Sequence, residues 1–178
     1  MRKEIVIAGF GGQGIMFTGS LLAQGAMLEG LQVTFFPSYG AEMRGGTANC
    51  SLIISDEEIG SPVVAHPSSC LVLNQPSLDK FEERMREKGL LILNSSLVDR
   101  GVERKDLEIA EVPATEMAIK LGNVKVANMI VLGAYLKKSK IIPLKSIIKS
   151  LPQILGEKKK DLLEINEKAL EKGSELVK

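Results

Sequence analysis

Gly9-Phe10-Gly11-Gly12-Gln13-Gly14 follows the apolar run Ile5-Val6-Ile7-Ala8 and opens a segment of helical character, Ile15 to Leu28. Strand, glycine turn and helix in that order predict the first unit of an α/β fold. The glycines at 9, 11 and 14 fit G-x-G-x-x-G, with one more at 12. Glycine tolerates positive φ and lets another group come close to the backbone. The first turn of the following helix carries free N–H groups and the positive end of the helix dipole. Such a turn accommodates a phosphate or a carboxylate, and equally another protein's backbone. The turn alone does not select a nucleotide.

The second strand, Gln32–Phe36, bears on that choice. A dinucleotide-binding fold places Asp or Glu at the end of this strand, for the ribose hydroxyls. Here the strand runs into Pro37-Ser38-Tyr39, and Glu29 comes too early, in the preceding helix. This counts against NAD. A P-loop is absent as well, because no Gly-Lys-Ser/Thr follows the turn. No Ser/His/Asp set sits at a nucleophile elbow, and the lone His66 precedes Pro67 in a loop.

Thr47–Ser55 alternates: Ala48, Cys50, Leu52 and Ile54 on one face, Thr47, Asn49 and Ser51 on the other. It predicts a half-buried strand with a polar side. Between the two strands, Pro37–Gly46 forms a loop with Tyr39, Glu42 and Arg44 at a strand's carboxyl end, where open α/β sheets place their sites. Cys70–Leu73, Leu90–Leu93 and Glu108–Val112 read as further strands, and Val63–Val64 as a short extended piece. Helices are predicted over Leu78–Lys88, about Thr115–Leu121, Ala127–Tyr135, Pro143–Leu151 and Lys158 to about Glu175. The pattern predicts a Rossmann-like, mostly parallel sheet with flanking helices, in a single domain spanning residues 1–178. Ile15–Leu28 and Ala127–Tyr135 are apolar most of the way round, which predicts burial on more than one side. The expectation is that one side meets the sheet and the other a neighbouring subunit.

Composition narrows the function classes. The chain has 178 residues, 44% hydrophobic and 25% charged, with a net charge of +1 and no Trp. That gives neither a general basic field nor a stacking surface for nucleic acid. No apolar run approaches the ~20 residues of a membrane helix, and Gly9 cuts short the apolar run near the N-terminus, so a cytoplasmic protein is expected. Cys50 and Cys70 lie 20 apart without a C-x-x-C, so alone they hold neither an iron–sulfur cluster nor a tetrahedral zinc. They read as two small buried hydrophobes.

Three long stretches carry a more specific signal: Gly9-Phe-Gly-Gly-Gln-Gly-Ile15, Phe36-Pro-Ser-Tyr-Gly-Ala-Glu-Met-Arg-Gly-Gly-Thr-Ala-Asn-Cys-Ser51, and Ser55-Asp-Glu-Glu-Ile-Gly-Ser-Pro62. With Asn128-Met-Ile-Val-Leu-Gly-Ala134, they resemble the gamma subunit of 2-oxoacid:ferredoxin oxidoreductases, most nearly the 2-oxoglutarate branch. The resemblance implies a complex that decarboxylates a 2-oxoacid on thiamine diphosphate with Mg, passes electrons through iron–sulfur clusters to ferredoxin, and forms an acyl-CoA. It implies that these cofactors are held by or with alpha, beta and ferredoxin-like delta subunits. This chain would then hold no metal and no catalytic residue of its own. It further implies that Gly11, Gly12, Gln13 and Gly14 meet a partner or ligand near the active centre, with Tyr39, Glu42, Met43, Arg44 and Asn49 close by. Arg44 is the candidate for an anionic group, CoA phosphate or substrate carboxylate, because guanidinium binds both in a bidentate way. Two alternatives compete: a free-standing NAD(P)- or flavin-binding oxidoreductase, and a regulatory scaffold that keeps the fold without the chemistry.

Overall fold

The computed structural model describes residues 1–38, 47–156 and 160–178. In chain order these form β1 (Arg2–Phe10), α1 (Ile15–Leu28), β2 (Gln32–Ser38), β3 (Thr47–Ser55), β4 (Ser69–Val72), α2 (Gln75–Phe81), β5 (Leu90–Asn94), β6 (Glu108–Val112), α3 (Ala114–Lys120), α4 (Ala127–Ser139), α5 (Leu144–Leu155) and α6 (Lys160–Glu175). The strands make one sheet in the order β2-β3-β1-β4-β5-β6. β1, β4, β5 and β6 pair in parallel. β3 runs antiparallel between β1 and β2. The sheet is thus mostly parallel, as the apolar runs predict, with one reversed strand. Pro37 is tolerated in β2 because that strand is the sheet's edge.

β1 is central, and its continuous apolar run reflects cover on both faces. Ile5 and Ile7 enter the larger core, with Cys50, Leu52 and Ile54 of β3 and with α1, α4, α5 and α6 above them. Val6 and Ala8 face the smaller core, roofed by Leu78, Phe81 and Met85. Cys50 and Cys70 are buried and free, in the larger and the smaller core respectively. Burial pushes the Cys50 thiol up to about 12, and burial likewise raises Cys70. Native protein at pH 7 should therefore resist maleimide, while the urea-unfolded chain takes two labels by mass spectrometry. Labelling of the native fold at the rate of a free thiol would contradict this burial.

The helices differ from expectation in two ways. The helix expected over Leu78–Lys88 begins earlier and ends earlier, as α2 followed by a single 3-10 turn, Glu82–Arg84. Asn74 sets its start by accepting from the Ser77 N–H at 3.0 Å. Val63–Val64 forms no strand. More consequentially, a second subunit is not needed to cover α1 and α4. Gly25 of α1 packs against Ile142 and Ile147 around the start of α5, and Gly19 against Cys50 and Phe35 of the sheet. Gly133 of α4 and Gly173 of α6 lie reciprocally against each other's helix backbones, at Leu170 and Ile130. The chain's own C-terminal helices supply the cover. Glu29 joins this packing by accepting from the Ser146 hydroxyl.

Glu82 is almost fully buried and fastens the segment after β5. One carboxylate oxygen accepts from the backbone N–H groups of Glu103 at 2.5 Å and Arg104 at 2.8 Å, the other from Arg100 at 2.9 Å. Burial opposes the charge, but the Arg104 N–H, the Arg100 guanidinium and the Glu103 N–H outweigh it and hold the carboxyl below its ordinary value. A lowered folded pKa gives stability that is present above the unfolded value and lost as pH falls through the folded one. Glu82→Gln should destabilise by about 2 kcal/mol at pH 7. Urea unfolding should find that deficit shrinking as both proteins are taken toward pH 3; a pH-independent deficit would contradict the charge's role.

Candidate functional site at the glycine turn

The turn lies at the carboxyl end of β1, between β3 on one side and β4 on the other. The chain leaves β1 toward one sheet edge and returns at β4 toward the other, so this is the crevice position of an open α/β sheet. Gly11 and Gly12 are exposed. Gly12 has φ +93° with open space where a Cβ would stand, so conformation alone calls for glycine. Gly14 is the N-cap of α1 at φ 75°, with no side chain capping the helix.

Much of the turn's polarity is used internally. The Gln13 side-chain oxygen accepts from the Phe10 N–H at 2.6 Å and from Asn74 at 3.2 Å. It thereby ties the turn to the start of α2. The Gly14 carbonyl accepts from the Thr18 N–H and hydroxyl, both at 2.9 Å, and from Asn128 at 3.2 Å. Asn128 also donates to the Thr18 hydroxyl at 3.0 Å, fixing α4 onto α1. At the end of β5, Asn94 donates to the Thr115 hydroxyl at 2.8 Å and accepts from its N–H at 3.2 Å, setting the start of α3. Sequence reasoning singled out Gln13, and Asn128 as a cap or interface hydrogen bond, but missed the amides Asn74 and Asn94 at the strand ends. The signal available was their placement: Asn74 and Asn94 directly follow apolar strands, and Asn128 is the one polar residue in an apolar helix.

Beside the turn is a cleft of about 170 Å³, mostly apolar, lined by Gly12, Gln13, Leu73, Leu97, Val124 and Asn128 among others. Asn49 is elsewhere. It pairs with Ala8 and Ser38 across the sheet, and its side chain lines a separate cavity with Ser51, Lys80 and Phe81. Tyr39, Glu42, Met43 and Arg44 lie outside the described residues. His66 is exposed, its Nδ1 3.3 Å from the Arg84 carbonyl. The two thiols are buried in separate cores and offer a cluster no ligand pair. No helix among the described residues is long and apolar enough to cross a membrane.

The strand order also bears on the nucleotide alternative. β3 stands between β1 and β2, which puts the tip of β2 about 9–10 Å from β1 rather than one strand spacing away. An acid there would not stand over the turn as it does in a dinucleotide fold. Fold and turn together define a Rossmann-like α/β domain whose strand order departs from that of a dinucleotide-binding fold.

The chain belongs to the pyruvate ferredoxin/flavodoxin oxidoreductase family, whose model matches residues 4–176. It is 36% identical over 187 residues to the 2-oxoglutarate synthase subunit KorC of Methanocaldococcus jannaschii, covering 100% of this chain and 95% of that one. It is 42% identical over 130 residues to the ketoisovalerate oxidoreductase subunit VorA of Methanothermobacter marburgensis, covering 73% of this chain. The match spans only 27% of that longer relative. Among solved structures, the gamma subunit of a keto/oxoacid ferredoxin oxidoreductase from Geobacter sulfurreducens superposes with a TM-score of 0.84 at 27% identity, over 98% of this chain and 97% of that one.

Proposed function

We propose that this chain is the gamma subunit of a cytoplasmic 2-oxoacid:ferredoxin oxidoreductase, acting on 2-oxoglutarate. The assembly would convert a 2-oxoacid, CoA and oxidised ferredoxin to an acyl-CoA, CO2 and reduced ferredoxin. The observation that carries this reading is the end-to-end correspondence with KorC, 95% of that relative's length. The chain would not be catalytic alone. Its cysteines are buried in separate cores and unsuited to a cluster, so iron–sulfur chemistry falls to alpha, beta or delta partners, together with thiamine diphosphate. A branched-chain 2-oxoacid is the second reading, favoured by the higher identity to VorA.

In this reading the exposed Gly11 and Gly12 meet a partner or ligand, and Gln13 and Gly14 hold the turn in shape for it. Tyr39, Glu42, Met43 and Arg44 would supply the neighbouring polar groups, with Arg44 on a CoA phosphate or substrate carboxylate. In the assembled enzyme, Arg44→Ala should raise the apparent KM for CoA or for the 2-oxoacid about tenfold or more, the loss of one charge-assisted contact. Arg44→Lys should recover only part of this, because it keeps the charge and loses the fork. Unchanged kinetics would remove the role. Titration of the isolated chain with NADH and NADPH should leave nucleotide fluorescence unaltered; saturable binding would instead support the free-standing oxidoreductase.

A further inference from the structure

A second cavity, of about 300 Å³, lies on the sheet face that α2 only partly roofs. On that face β3 carries Asn49 and Ser51, alternate residues of an interior strand. An interior strand covered by a full helix would carry apolar residues there, as it does at Ile53. The opposite wall presents Lys80 and Arg84, one helical turn apart. Both cations stand over the Phe81 ring, at 5.6 Å and 5.3 Å from its centroid. That stacking holds two positive charges beside one opening. Among the described residues no carboxylate lines the cavity. Phe36, 59% exposed, and Val63 complete an apolar rim.

We propose that this cavity binds a small organic anion, its phosphate or carboxylate head on Lys80 and Arg84 and its apolar body against the exposed rim of Phe36 and Val63. Asn49 and Ser51 supply neutral hydrogen bonds at the floor. Two cations on one wall, neutral donors and acceptors on the other and, among the described residues, no acid between them select negative charge. The apolar rim of Phe36 and Val63 selects a ligand with an apolar part over a bare ion. The proposal uses only residues of this chain and does not depend on its being an oxidoreductase subunit.

The test is calorimetric titration of the full chain at low salt with phenyl phosphate, phenylacetate and inorganic phosphate. Saturable one-site binding of phenyl phosphate or phenylacetate is expected, and the tighter of the two identifies the head group. The double variant Lys80→Gln/Arg84→Gln, at two exposed positions, should weaken it at least tenfold, while Lys168→Gln on α6 leaves it unchanged. Absence of saturable binding by either aromatic ligand, equal affinity in the double variant, or inorganic phosphate binding as tightly as phenyl phosphate would overturn the proposal. Loss of binding would leave the subunit assignment standing, and failure of that assignment would leave the cavity's chemistry intact.

Discussion

Replacing Gly133 by alanine should lower the melting temperature by roughly 6–12 °C, the equivalent of about 3 kcal/mol in a chain of this size. A Cβ at Gly133 would stand far inside contact distance of the Leu170 carbonyl, and one at Gly173 would do the same to the Ile130 carbonyl. Both obstacles are backbone atoms, so no rotamer change relieves them. Alanine gains about 1 kcal/mol of helix propensity over glycine. Overpacking ordinarily costs about 1–3 kcal/mol and occasionally more; against a rigid helix backbone about 4 kcal/mol is expected, which leaves about 3 kcal/mol after the propensity gain. Since α6 covers α4, pushing them apart would expose Ala169 and Leu170. Gly173→Ala should behave the same way. A melting temperature unchanged or raised in either variant would show that the helices do not meet this closely.

Gly14→Ala should be the most damaging change in the turn. Alanine at φ +75° costs about 1–2 kcal/mol. Its Cβ would also overlap the Asn128 amide, which now binds the Gly14 carbonyl and the Thr18 hydroxyl. Losing those bonds adds about 1 kcal/mol each at most, for a total of roughly 3 kcal/mol. Gly12→Ala meets no atom and carries only the conformational cost. Urea unfolding should therefore rank Gly14→Ala below Gly12→Ala by at least about 1 kcal/mol. Equal losses would mean that Asn128 does not clamp the turn.

Much of this was legible in the sequence. The glycine turn, the strands and most helices follow from apolar runs and punctuation, because β1, β4 and β5 are buried on both faces and admit little else. The polar side of β3 was legible too, since Asn49 and Ser51 break the apolar pattern of an otherwise buried strand. The position of β3 between β1 and β2 was not, because strand pairing is a nonlocal choice and alternation gives the faces rather than the neighbours. The self-cover of α1 and α4 was misread for a related reason. Gly133 and Gly173 look like weak points in their helices taken singly; only when α4 and α6 are side by side do they become the contact. Most of the surface inferred to seek a partner on those two helices is therefore covered from within the chain, with Met27 and Leu28 at the end of α1 left exposed. Of the expected site, Asn49 pairs with Ala8, just before the turn, and lies on the α2 face of the sheet, while Gln13 and the Gly14 carbonyl are tied to Asn74 and Asn128. Asn74 and Asn94 were hard to see because the partners of these amides and of Asn128 lie 21 to 114 positions away, or three residues on at a helix start, with no fixed spacing between them.

The most direct test of the subunit assignment is an anaerobic pull-down from native cell extract with this chain as bait. Captured material is assayed for CoA-dependent reduction of a viologen dye by 2-oxoglutarate, ketoisovalerate and pyruvate in turn. The account predicts co-purifying subunits that carry thiamine diphosphate and iron–sulfur clusters, with activity greatest on 2-oxoglutarate. Activity greatest on ketoisovalerate would keep the assembly and change the branch. A chain that comes down alone, without viologen reduction on any of the acids, and that binds a nicotinamide nucleotide by itself would contradict the assignment.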